Sequence, residues 1–163
     1  MRVLAADPGY ERLGVAVMER AAGADTFIYS SCITTKKSLP PADRLRDIGR
    51  AFEALLAEYR PDIVALETLF INKNQKTALA VAEVRGALTY LARAHGALVR
   101  EYSPQQIKIA VTGHGASDKR QVMAMVRRLV PAAPSHTARP RNIRGRTTCA
   151  PAWPSSAGSL PQR

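Results

Sequence analysis

Apolar and polar positions come in short blocks along the first third of the chain and then change to a helical rhythm. Residues Arg2-Val-Leu-Ala-Ala-Asp7 form an apolar run ending in a carboxylate, Pro8-Gly9 supplies a turn, and a second apolar run begins at Gly14 and continues through Val17. Pro8 has no N–H for a sheet ladder and Gly9 accepts positive φ, so the first strand is expected to stop at Asp7 and fold back as a hairpin. Thr26-Phe-Ile-Tyr-Ser-Ser-Cys-Ile33 is rich in β-branched and aromatic residues and follows a short Ala-Gly-Ala-Asp connection, as a third strand would. Three consecutive strands with short links predict an antiparallel meander.

Beyond the polar, proline-containing stretch 34–41, Leu45, Ile48, Phe52, Leu55, Leu56 and Tyr59 recur at helical spacing until Pro61 ends the helix. Asp62-Ile-Val-Ala-Leu-Glu67 is again a short apolar run closed by a carboxylate. A strand entered from a helix is most simply parallel to one already laid down, through a right-handed crossover. Residues 68–74 read as a loop and 75–95 as a long helix stopped by Gly96. Its Ala78, Ala80, Ala82, Gly86 and Ala87 permit close backbone approach, and its apolar residues cover more than one face, which suits packing on a sheet and against something further, such as a second subunit. Residues 97–103 make a fifth strand. Ser103-Pro-Gln-Gln106 is a capping box with proline at the first helical position, Gly113-His-Gly115 breaks the helix it opens, and Ser117 is expected to cap a last amphipathic helix carrying Val122, Met123, Val126 and Leu129. The expected fold is α/β: a five-stranded mixed sheet, strands 1-2-3 forming the meander and strands 4 and 5 parallel to strand 1, flanked by helices.

Length and composition add limits. A chain of 163 residues is one domain on the usual scale and needs no disulfide or structural metal to fold. Cys32 and Cys149 form no metal or redox motif and read as unpaired thiols of a reducing compartment. No apolar run approaches membrane-spanning length and the N-terminus enters a strand without a signal-peptide pattern, so a cytoplasmic protein with no membrane partner is expected. The net charge of +11 points to a polyanionic partner, but it is unevenly placed: residues 119–163 hold nine Lys or Arg and no Asp or Glu, leaving residues 1–118 at about +2. From Pro131 onward, prolines interrupt Arg, Ala, Ser and Thr with no apolar period. Residues 1–130 are therefore expected to form the folded domain and 131–163 a basic, disordered tail.

The chemistry concentrates on two acids. If strands 1 and 4 lie side by side in parallel, Asp7 and Glu67 project at the same edge of the sheet, about 4.8 Å apart by strand spacing. Two carboxylates that close repel one another without a cation, so the pair suits Mg²⁺ or Mn²⁺. The carboxyl edge of an open α/β sheet is also where ligands bind. The alternative at this point is that Asp7 caps a turn and that both strands simply happen to end in acids.

The opening Arg2-Val-Leu-Ala-Ala-Asp7-Pro-Gly, the block Ala65-Leu-Glu67-Thr-Leu-Phe70-Ile-Asn-Lys-Asn74, Arg85-Gly86, Tyr102-Ser-Pro-Gln-Gln-Ile-Lys108 and Gly113-His-Gly115-Ala-Ser-Asp-Lys119 together resemble the RuvC family of Holliday-junction resolvases. The resemblance runs in order to about Leu129. It implies a ribonuclease-H-like fold and a homodimeric, Mg²⁺-dependent endonuclease that nicks opposed strands of a four-way junction beside a branch-migration motor, with Mn²⁺ able to replace Mg²⁺ and two ions per subunit in an intact member. By position, Asp7 and Glu67 match the family's first two metal-binding catalytic acids. Phe70 matches an aromatic that stacks on bases, an interaction worth about 1–3 kcal/mol per base; taken alone, Phe70 reads as a core residue. Lys108 and Lys119 match basic residues that neutralise phosphates near the scissile bond. His95 and His114 sit in no ligand pattern and read as structural or surface residues.

The chain also departs from that family, whose last helix brings two further metal-facing groups, an Asp or His followed three residues later by Asp. No carboxylic side chain follows Asp118 here, and His136 has Arg139 three residues on, which cannot be a Mg²⁺ ligand. The Ala, Pro and Arg enrichment of the tail is what a GC-rich gene yields out of frame. Codons for residues 143–151, read one nucleotide forward, permit Ser-Ala-Asp-Ala-Leu-Leu-Ala-Leu, which resembles the missing helix. A frameshift near residue 138 and impaired cleavage are the expectations. A non-catalytic junction-binding dimer is the alternative. An actin-like kinase or ATPase shares the strand-Asp-x-Gly opening, but the chain lacks a second lobe and a further phosphate-binding glycine loop.

Overall fold

A computed structural model describes residues 1–68 and 75–131, the side chains of 75–77 excepted. The elements are β1 (Arg2–Asp7), β2 (Arg12–Ala21), β3 (Ala24–Thr34), α1 (Pro41–Tyr59), β4 (Ile63–Glu67), α2 (Gln75–Ala94), β5 (Leu98–Tyr102), α3 (Pro104–Thr112) and α4 (Lys119–Leu129). The sheet runs in the order β3-β2-β1-β4-β5, so the first strand of the chain is its centre. β1, β2 and β3 pair antiparallel, and β4 and β5 continue the sheet in parallel with β1, as the pattern predicts. β3 is longer at both ends than its apolar run, because β2 pairs along its whole length, with a register shift at Val17/Met18.

Strand alternation sends Leu4 and Ala6 of β1, Leu13, Val15 and Val17 of β2, and Val64 and Leu66 of β4 to one face. There they meet Ile48, Phe52, Leu55 and Leu56 of α1 and Val84, Leu88 and Ala92 of α2 in one buried core. The outer side of α2 leaves Leu79 and Tyr90 exposed, at 68% and 72%. The opposite face of the sheet carries Ala5, Asp7, Gly14, Ala16, Ala65 and Glu67, which line an open groove. Among the described residues, no helix is long and apolar enough to cross a membrane.

Local signals set the ends of these elements, with two corrections. The Ser103 capping box forms, Ser103 Oγ accepting from the Gln106 N–H at 3.2 Å and Gln106 Oε1 from the Ser103 N–H at 2.8 Å. Ser117, however, does not cap α4. Asp118 does: its Oδ1 accepts from the Gln121 N–H at 2.9 Å and Gln121 Oε1 accepts from the Asp118 N–H at 2.8 Å. A carboxylate adds charge at the positive end of the helix to the hydrogen bond that a hydroxyl would make. Ser117 is buried instead and shares a 2.7 Å hydrogen bond with the Thr112 hydroxyl, tying the end of α3 to the start of α4. The second correction concerns Gly9, which is not in the left-handed region. It is required for close approach, since a Cβ there would lie 2.8 Å from the Arg12 carbonyl oxygen.

Candidate metal and nucleic-acid site

β1 and β4 run parallel with Ala6 beside Leu66, so the next residues on each strand, Asp7 and Glu67, end side by side. Asp7 pairs across to Gly14, Gly14 to Cys32, and Glu67 to Tyr102. One row across the sheet therefore reads Cys32, Gly14, Asp7, Glu67, Tyr102, and all five line a groove of about 740 Å³. A Cβ at Gly14 would lie 3.6 Å from the Asp7 Cβ, an ordinary contact, so Gly14 adds room beside Asp7 without being required there.

The electrostatics follow from this placement. Partial burial pushes the Asp7 carboxyl above its ordinary value. Glu67 is raised first by burial and then by the negative charge of Asp7. Both ionised forms are held at a cost that a cation between them removes. The donor set fits a hard divalent ion: Mg²⁺ is commonly bound through one or two carboxylates, with water and substrate phosphates completing its shell. Among the described residues, no group of three or more His, Cys, Asp or Glu side chains could hold a metal. Asp118 is engaged as a helix cap.

Of the residues singled out from the sequence, the structure brings Asp7, Glu67 and Lys119 around one groove. Lys108 lies half-buried on α3 and does not line it, Ile107 being the residue that does. Phe70 lies outside the described residues, as do His136, Arg139 and Cys149. His95 has a structural setting, its Nε2 lying 3.7 Å from Glu53 Oε1 on α1. Sequence reasoning missed Arg12, which also lines the groove. The signal was present: Arg12 precedes Gly14 by two residues on one strand and so shares its face.

The turn after Asp7 is braced from both helices of the opposite layer. Tyr10 Oη donates to Glu83 Oε2 of α2 at 2.6 Å, and the Arg44 guanidinium of α1 lies 5.4 Å from the centre of the Tyr10 ring. The Thr35 hydroxyl donates to the Tyr10 carbonyl at 2.6 Å and accepts from Arg44 Nε at 2.9 Å. Burial first, and then the Glu83 hydrogen bond and charge, push the Tyr10 phenol from its ordinary 10 up to about 12. Since the folded value is the higher one, this contribution to stability is complete below the unfolded value and is lost as pH rises from 10 to about 12. We expect phenolate absorbance to show a late-titrating tyrosine that disappears in Tyr10→Phe. The fall in thermal midpoint over that alkaline window should be shallower in the variant; identical titrations in the two proteins would disprove the assignment.

Residues 3–143 match the model of the family described as crossover junction endodeoxyribonuclease RuvC. The RuvC of Syntrophomonas wolfei is 42% identical over 130 residues, covering 80% of this chain and 76% of its own length. The RuvC of Thermosipho melanesiensis is 41% identical over 130 residues, covering 80% of this chain and 83% of its own. Among solved structures, Thermus thermophilus RuvC in complex with Holliday junction substrate matches with a TM-score of 0.77 at 29% identity, covering 87% of this chain and 86% of that one. Agreement in sequence and fold over most of the chain shows that it belongs to the RuvC family of crossover junction endodeoxyribonucleases.

Proposed function

We propose that this chain binds four-way DNA junctions and directs Mg²⁺-dependent hydrolysis of opposed strands at Asp7 and Glu67, with cleavage impaired in the chain as it stands. The observation that carries the reading is the pair of carboxylates at adjacent parallel strand ends, opening onto a groove that Lys119 also lines. The family is one of metal-dependent nucleases, and a similar chain has been solved on a Holliday junction. Asp7 and Glu67 would hold the cation, Mg²⁺ or in its place Mn²⁺, and Lys119 would neutralise a phosphate beside it. When bound, one or two such ions supply an activated water and stabilise the leaving oxygen. Ala5, Ala16 and Ala65 line the floor of the groove without obstructing it, so a DNA backbone can approach the acids.

The remaining expectations belong to the same reading. Lys108 and Phe70 are assigned to DNA contact by the family resemblance. The exposed Leu79 and Tyr90 on α2 support a homodimer through that helix. A branch-migration motor would be the further partner, in the cytoplasm. Impairment follows from the absence of any carboxylic side chain after Asp118. The tail from residue 131, a basic appendage to the folded domain 1–130, then lacks the ligands that the resemblance implies, whether or not a frameshift produced it. A second reading, a junction-binding dimer with no cleavage at all, is favoured by the presence of only two acids at the site among the described residues.

The test is a synthetic four-way junction against linear duplex of the same sequence, with and without Mg²⁺. We expect the junction to bind at least about tenfold tighter than duplex, a difference of about 1.4 kcal/mol, and to be nicked slowly and symmetrically only when metal is present. Equal affinity for duplex and junction would refute the proposal. Tight junction binding with no nicking in either Mg²⁺ or Mn²⁺ would establish the second reading.

A further inference from the structure

The geometry points to Arg12 as a phosphate-binding residue that grips the DNA backbone next to the position held by Asp7 and Glu67. This inference rests on the junction-binding reading and extends it to a residue outside the blocks that carry the family resemblance. Asp7 pairs with Gly14, and Arg12 lies two residues before Gly14 on the same strand, one full pleat or about 6.8 Å beyond the carboxylate row on the same face. It enters the groove from β2, on the opposite side of β1 from Glu67. Lys119 enters the same groove from α4. The two carboxylates are thus approached by cations from separate elements of the fold.

What Arg12 does not do is equally informative. It makes no ion pair or hydrogen bond with any described side chain, and its sequence neighbour Glu11 is paired with Lys37 at 3.0 Å. Other arginines have visible structural work: Arg2 with Glu19, Arg20 with Asp25, Arg46 with Asp43, Arg85 with Glu101, and Arg44 with Thr35. Arg12 is exposed and lines the open groove that Asp7 and Glu67 also line, it is paired with neither acid, and its guanidinium carries five donors. A planar fork of that kind matches the oxygens of a phosphodiester. Its backbone is held in place as well, since Arg12 pairs with Thr34 of β3 and follows the turn braced by Tyr10. The ligand class is the sugar-phosphate backbone of DNA, read without regard to base sequence.

The experiment is equilibrium binding of a four-way junction to the full chain in EDTA across a salt series, so that no metal is required for the readout. Each phosphate contact contributes about 0.9 to the slope of log affinity against log salt. Arg12→Gln should lower the slope by about that amount and weaken binding about tenfold at low salt. Arg12→Lys should restore the slope, and Arg20→Gln, which removes from the same strand as Arg12 an arginine engaged with Asp25 of β3, should leave it unchanged. If the unmodified chain prefers junction over duplex and Arg12→Gln keeps its full slope, the assignment of Arg12 is wrong. If the unmodified chain shows no such preference, the junction-binding reading falls and this inference with it.

Discussion

Asp7→Asn should leave a folded chain that still binds four-way junctions but loses at least about a thousandfold in Mg²⁺-dependent nicking, a barrier increase of about 4 kcal/mol. Asparagine keeps the shape of the side chain and its place beside Gly14, but replaces an anionic oxygen with an amide nitrogen that cannot ligate Mg²⁺. The same substitution removes the charge that raises Glu67 and is itself held partly out of water. Without metal, the variant should therefore unfold at the same temperature as the parent or a higher one. Strand nicking and thermal unfolding on one preparation separate the two effects. Unchanged nicking would show that Asp7 takes no part in cleavage, and a large drop in unfolding temperature would show that its role is structural.

Phe52→Ala should cost about 3–5 kcal/mol of folding stability. Phe52 is fully buried where α1 meets the sheet, among Ile48, Leu55, Leu56 and the inward residues of β1, β2 and β4. Truncation leaves a cavity that backbone held by paired strands cannot close, so the loss exceeds simple transfer of the ring. The total stability of a domain is typically about 5–15 kcal/mol. Among the described residues, the buried core lies on one face of the sheet. Urea denaturation followed by circular dichroism gives the shift directly. A change below about 1 kcal/mol would mean that the α1 contact is not central to the core.

Residues that punctuate the chain locally made much of the fold legible. Pro8 ends β1, Pro61 follows the end of α1, and Ser103 with Gln106 starts α3, each acting on its own neighbours. The pairing of Asp7 with Glu67 was also legible, because a helix between two short apolar strands leaves parallel adjacency as the simplest arrangement. Competition and distance limited the rest. Ser117 and Asp118 are adjacent oxygen-bearing residues, and the choice between them depends on Thr112 engaging the serine. The Tyr10–Glu83 bond joins residues 73 positions apart, a distance over which no spacing rule operates. Lys108 does not line the groove, which Ile107 lines from α3, so its assignment to DNA contact rests on the family resemblance.

The central place of β1 carries one more consequence. Its partner β2 is joined to it by a short turn, whereas β4 reaches it only after some 60 residues, Val3 pairing with Ile63. Local hairpins close early, and pairings between distant segments wait on the costlier loop closure. Asp7 therefore arrives with the first meander, and its companion acid joins it only when the crossover through α1 is complete. If Asp7 and Glu67 hold the ion as proposed, a nascent, damaged or partly unfolded copy would expose one acid without the other and offer it no seat. Dividing the two acids between an early and a late pairing would then work as an interlock, tying the seat of the ion to completion of the fold.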